Sequence, residues 1–200
     1  MALTPTLDQE TTQIKLGLKP QGTWTYEDWL NFPDDGWKYE IIDGVLYMSP
    51  PPATGHQRSS SKLLTRMNSY AETKNLGEII AAPCGVRLPN QSVPVEPDIF
   101  FIKKARLHII QEKYVEGVPD LIVEILSPSN PNHDRETKFR IYQEAGVPEY
   151  WLVDYLQKTV EVFVLTEGVY TLHNNYRAGD TITSAQLTGF EIAVNIIFNF

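Results

Sequence analysis

Two acidic side chains embedded in apolar runs are the residues of this chain best placed to do chemistry. Asp98 opens the run Ile99-Phe100-Phe101-Ile102, and Glu124 stands inside Leu121-Ile122-Val123-Glu124-Ile125-Leu126. A carboxylate in such a setting loses hydration, so it takes up a proton or is offset by a cation or hydrogen bonds. Alternate residues of a strand share a face, which sets Asp120, Ile122, Glu124 and Leu126 together. If the Asp98 run pairs beside the Glu124 run, the two carboxylates converge on one divalent ion, because hard cations take carboxylate oxygens. Further on, Asp134, Lys138 and Tyr142 fall at i, i+4 and i+8 of a helical stretch and so on one face. From there Lys138 can direct an ammonium at the carboxylates, where it would orient an attacking water or offset charge developing on a phosphate. Tyr142 reads as a packing residue with a polar tip.

Other signals are local. His56 opens a helix and faces either the site or solvent. Arg58, Lys62 and Arg66 form a basic stripe at helical spacing, suited to phosphate contact and equally to a solvated helix face. Lys103, Lys104 and Arg106 cluster after the Asp98 run. Cys84 is the one cysteine, which excludes an internal disulfide and a multi-cysteine zinc site, and it reads as a small buried hydrophobe.

These residues need a scaffold, and the pattern supplies a mixed α/β one. Residues 1–22 are polar and aperiodic and read as a loosely held arm, with one domain over 23–200. Thr25, with Asp28 three residues on, caps a short helix that Pro33 ends. WKYEII and VLYMS flank Asp43-Gly44, which supplies the positive φ of a tight hairpin turn. A helix follows from about His56 to Thr73, with Leu63, Leu64, Met67, Tyr70 and Ala71 at helical spacing. GEIIAAP, GVRLPN, EPDIFFI and LIVEIL read as strands, the last apolar enough to be covered on both faces. Asp134 to Ala145 reads as a second helix, stopped by Gly146 and Pro148, before EYWLVDY, VEVFVL and VYTLH close the sheet as a meander. Strands alternating with helices indicate a sheet flanked by helices.

Composition bounds the function. In 200 residues, 42% hydrophobic content is enough for one globular core and excludes wholesale disorder. No apolar run is long enough to cross a bilayer, and the first residues hold no signal-peptide core, so a cytoplasmic location is expected. Seventeen Lys+Arg against 25 Asp+Glu give a net charge of −8, so nucleic acid would have to be met by a local patch.

Four runs together resemble a known family. They are Tyr39-Glu40-Ile41-Ile42-Asp43-Gly44, Glu96-Pro97-Asp98, the stretch Pro119-Asp120 through Ser127-Pro128-Ser129, and Lys138…Tyr142…Gly146-Val147-Pro148-Glu149-Tyr150-Trp151-Leu152-Val153-Asp154. In this order, over residues 23 to 165, the chain resembles the Uma2 family of restriction-endonuclease-like proteins, abundant in cyanobacteria and first defined as a domain of unknown function. The resemblance implies a PD-(D/E)XK nuclease-like core that cleaves DNA phosphodiesters with Mg²⁺ or Mn²⁺. Asp98 then fills the Pro-Asp position and Glu124 the acid of the second element, while Glu40 matches the additional acid of the metal shell. The lysine of that element is replaced by Leu126, and Lys138 is the migrated substitute. A homodimer would bring two such sites together on duplex DNA. Leu126 equally suits a decayed site, in which the same fold binds nucleic acid or protein without cutting.

Overall fold

The computed structural model describes residues 19–89, 91–128 and 132–200. Most of the arm expected over 1–22 therefore lies outside the described residues; within it, Gly22 N–H donates to Gly44 O (2.8 Å) and Gln21 exchanges side-chain hydrogen bonds with the Leu46 backbone.

Thr25 caps helix α1 (Tyr26–Trp29) through a capping box with Asp28. The hairpin β1 (Lys38–Ile42) and β2 (Val45–Ser49) turns at Asp43-Gly44, both at positive φ. A Cβ on Gly44 would meet Gly22 O at 2.6 Å, so this turn needs glycine for clearance as well as for φ. Tyr39, Ile41, Leu46 and Met48 pack with Trp24 on one face of the hairpin, while Ile42 packs from the other face against the main sheet. Both faces of β1 are thus covered.

Helix α2 (Thr54–Lys74) ends at Asn75 in the left-handed region. After it come β3 (Gly77–Ala81), the two-residue β4 (Val86–Arg87), β5 (Ile99–Lys103), a 3₁₀ turn at Lys104–Ile109, β6 (Val115–Glu116) and β7 (Leu121–Ile125). The second helix begins as a wide π turn (His133–Lys138) and continues as α3 (Phe139–Ala145), ended by Gly146 at positive φ. β8 (Glu149–Asp154), β9 (Thr159–Thr166) and β10 (Val169–Tyr176) form the expected meander. A small ribbon of β11 (Thr181–Thr183) and β12 (Glu191–Ala193) and helix α4 (Val194–Phe198) follow, none of which the sequence pattern announces.

The main sheet has six strands in the order β10-β9-β8-β7-β5-β3, with β7 and β8 parallel and the other pairs antiparallel. α2 and α4 cover one face, where Leu63, Met67 and Ile197 meet Val123, Ile125 and Trp151. α3 covers the other, where Ile141 and Tyr142 meet Phe100, Ile122 and Leu152. β7 sits in the middle, buried at every position, so its one acid is withdrawn from the surface and meets solvent only through the cavity it lines. No helix among the described residues is long and apolar enough to cross a membrane.

Candidate active site

Register assembles the acidic pair. β5 runs antiparallel to β7 with Ile99 opposite Val123, so one step further Asp98 lies opposite Glu124. The backbone locks this: Ile125 N–H donates to Asp98 Oδ2 (2.8 Å), and Asp98 N–H donates to Glu124 Oε2 (3.3 Å). Glu124 points to the face covered by α3, where Tyr142 OH donates to its Oε1 at 2.7 Å and Lys138 Nζ at 2.9 Å. The ammonium arriving from the later helix therefore meets the acid of β7, while Leu126 is buried in the cluster beneath α3.

Lys138 is the hub. Its Nζ is 3.4 Å from Glu40 Oε1 and 3.6 Å from Asp134 Oδ1, and its side chain is almost wholly buried. Glu40 reaches the hub from β1 by sharing the side of the hairpin that carries Ile42. Both its oxygens are engaged, Oε1 also by Lys38 Nζ (3.4 Å) and Oε2 by His133 Nε2 (3.3 Å). His56, at the start of α2, places Nε2 3.1 Å from Asp98 Oδ2. The imidazole of His133, which stacks at 4.1 Å on Tyr47, and that of His56 each keep a buried Nδ1 without a hydrogen-bond partner among the described residues. His133 carries no signal in the sequence beyond standing next to Asp134 at a helix start.

Charge is unbalanced here. The residues form one wall of a cavity of about 660 Å³, whose described lining holds five carboxylates (Glu40, Glu96, Asp98, Glu124, Asp134) against Lys38 and Lys138. Burial pushes the Asp134 carboxyl up, and the Glu124, Asp98 and Glu40 charges add to this against the pull of Lys138, leaving it at about 7. Burial also raises Glu40, but Lys138, Lys38 and His133 outweigh it and hold that carboxyl well below the usual range. For Asp98 burial is likewise outweighed, here by the His56 hydrogen bond and charge, and the carboxyl stays low. Burial alone would lower Lys138, but the surrounding carboxylates hold its ammonium well above the ordinary lysine value. It is a fixed cation and not a base.

Glu149 shows what a purely structural buried carboxylate looks like. It accepts from Trp151 Nε1 (2.7 Å), Ser184 Oγ (2.9 Å) and Gln186 N–H (2.7 Å), neutral donors that tie β8 to the turn before β12.

Three expected site residues lie elsewhere. Asp120 shares the strand parity of Glu124 but sits at the other end of β7, about 13 Å away at strand rise. There it accepts from Arg106 Nη1 and Lys103 N–H, both at 2.9 Å, and it does not line the cavity. Arg58 and Lys62 face the chain end, Arg58 over the Phe200 ring at 4.5 Å and Lys62 bonded to Asn199 O, while α2 turns His56, Gln57, Ser60 and Ser61 to the cavity.

Among the described residues no group of three or more His, Cys, Asp or Glu side chains is arranged to hold a metal ion. A hard divalent ion does not require such a cage, because Mg²⁺ is commonly held by one or two carboxylates with water and substrate phosphate completing the shell. Asp98 and Glu124, adjacent across two strands in a cavity with surplus negative charge, fit that mode.

The fold defines a class. A crystal structure from Anabaena variabilis described as "a putative nuclease belonging to DUF820" superposes with a TM-score of 0.70, covering 88% of this chain and 97% of that one at 18% identity. The two chains thus share one architecture, a mixed six-stranded sheet flanked by helices. An uncharacterized protein of Synechocystis sp. is 26% identical over 164 residues, 80% of this chain and 83% of its own. The family "Uma2: Putative restriction endonuclease" matches residues 25–195, and the chain belongs to it.

Proposed function

We propose that this protein is a divalent-metal-dependent endonuclease that hydrolyses DNA phosphodiester bonds. The observation that carries the reading is the placement of Lys138 Nζ 2.9 Å from Glu124, across β5 and β7 from Asp98, in an open cavity with excess negative charge. Asp98 and Glu124 would hold Mg²⁺ or Mn²⁺. Bound there, the ion supplies Lewis-acid polarisation of the scissile phosphate and a lowered pKa for the attacking water. Lys138, kept charged by its carboxylate neighbours, offsets negative charge developing on the phosphate. Glu40 and Tyr142 hold Lys138 and Glu124 in register, and His56 fixes the Asp98 carboxylate. Each chain carries a whole site on this reading, so cutting both strands of a duplex takes two copies, as in a homodimer. Membership of Uma2, whose family description is "Putative restriction endonuclease", supports DNA as the substrate class.

The test is cleavage of supercoiled plasmid by wild type and Glu124→Gln in Mg²⁺, Mn²⁺ or chelator. Nicking by wild type with metal, abolished by chelator and reduced at least about 10³-fold in the variant, is expected. Metal-independent nicking, or an unchanged rate in a folded Glu124→Gln protein, contradicts the proposal. A second reading, a binding module without cleavage, is favoured by Lys138 lying within the acidic cluster; it predicts nucleic-acid binding with no nicking under any metal.

A further inference from the structure

The wall facing solvent above the acidic cluster has its own chemistry. Where the β1–β2 hairpin opens, the cavity is lined by Trp37 and by Pro50, Pro51 and Pro52, and across from them by the α2 residues Ser60 and Ser61. Trp37 is half-buried: it packs against the Trp24–Tyr39–Met48 cluster while still lining the cavity. The other three tryptophans each have an aromatic neighbour, Trp24 with Phe32 at 5.7 Å, Trp29 with Tyr26 at 5.8 Å and Trp151 with Phe190 at 6.5 Å. Trp37 packs on its cluster without forming such a ring pair among the described residues.

Cations are the complementary observation. The two lysines lining the cavity are already committed, Lys38 to Glu96 O (2.6 Å) and Glu40, and Lys138 to the carboxylates. Arg58 and Lys62 of the α2 stripe are turned to Phe200 and Asn199. A duplex gripped along its backbone needs several Lys or Arg on phosphates, and the described lining of this cleft does not present them. A single strand carries phosphates as well, but at lower charge density. Its unpaired bases can stack on an aromatic side chain for about 1–3 kcal/mol each, a gain closed to a paired duplex.

We propose that Trp37 is a base-stacking platform and that the cleft takes an unpaired DNA strand, such as a single-stranded segment, flap or frayed end, with the stacked base next to the scissile phosphate. This rests on the nuclease reading for the reaction but not for the binding. The proline run beside Trp37 forms an apolar rim, and across from it the small Ser60 and Ser61 leave room for the sugar. Duplex DNA would enter only where it opens.

The experiment uses the full chain carrying Glu124→Gln, so that binding is read without turnover, with a defined 12-nucleotide single strand and the same sequence as a duplex. Tighter binding of the single strand is expected, with quenching of tryptophan fluorescence. Trp37→Ala, added to this background, is expected to weaken single-strand binding about 5- to 150-fold, the range given by the loss of one stacked base. Trp37→Phe keeps a ring to pack on the hairpin cluster, so it should bind within about threefold while losing the quenching. Equal binding by Trp37→Ala, unchanged quenching in Trp37→Phe, preference for the duplex, or no binding of either DNA overturns the proposal. Cleavage separates the two claims. If otherwise wild-type protein cuts duplex and single strand alike and Trp37→Ala leaves KM unchanged, the stacking site falls and the nuclease stands. If single-strand binding depends on Trp37 but wild type cleaves nothing with any metal, the nuclease falls and the binding site stands.

Discussion

Replacing Lys138 with Met removes one charge from the centre of the cluster while keeping an unbranched stem that can fill the same space. In the wild type this buried ammonium lies 2.9 Å from Glu124, 3.4 Å from Glu40 and 3.6 Å from Asp134. Removing one partner from a buried charge pair costs about 3–5 kcal/mol, because the remaining charges are left uncompensated in low dielectric. For a domain of this length each kcal/mol shifts the melting temperature by about 2–4 °C, so the expected drop is roughly 6–20 °C at pH 8. The sign of its pH dependence follows from the same contacts. Without Lys138, Glu40 loses the strongest charge opposing its burial, so its folded pKa rises relative to the wild type. The native variant then binds more protons than the native wild type, so its deficit grows as the pH climbs through that window and shrinks in acid. Calorimetry of both proteins in chelator at pH 5 and pH 8 measures this directly, with the larger deficit expected at pH 8. Added Mg²⁺ should return part of it, since a bound cation stabilises the native state by mass action. A deficit under about 2 °C at both pH values would refute the description of Lys138 as the charge that offsets the cluster.

Two further outcomes follow from particular contacts. Asp134, with its carboxyl raised to about 7 by burial and by neighbouring acids, binds its proton more tightly folded than unfolded. It therefore withdraws stability as the pH rises from about 4 to 7, by at most about 4 kcal/mol; Asp134→Asn should gain on wild type across that range in urea titrations, and a pH-independent difference would contradict the burial of a charged group there. Asp120→Asn should lower stability by about 1–2 kcal/mol through its weakened contact with half-exposed Arg106 while leaving plasmid nicking intact; lost nicking in a folded variant would place Asp120 in the site.

The sequence shows its local decisions well and its long-range ones unevenly. Asp43-Gly44 marks the hairpin because few residues tolerate two consecutive positive φ values. The apolar run around Glu124 marks the central strand, and its embedded acid marks the site. Parity then puts Asp120 with Glu124, but parity fixes only the face of a strand, and a short 3₁₀ helix brings Arg106 to the distant end. The Asp134, Lys138 and Tyr142 spacing assumes a regular helix; the first turn is a π turn, yet Lys138 and Tyr142 are still one helical turn apart and both reach Glu124. GVRLPN shortens to the two-residue β4, which pairs with β6 and bridges to Val95 outside the main sheet. Glu40 looks like half of an alternating surface strand, since nothing local reports that the hairpin is covered on both faces. His133, and the capture of Arg58 and Lys62 by the chain end, depend wholly on partners remote in sequence.

The most direct measurement is a Mn²⁺ titration by electron paramagnetic resonance of wild type, Asp98→Asn and Glu124→Gln, all checked for a native melting transition. The account predicts one saturable site per chain in the wild type, weakened at least about tenfold by either substitution because each removes a charged oxygen donor. Equal Mn²⁺ affinity in all three proteins would contradict it.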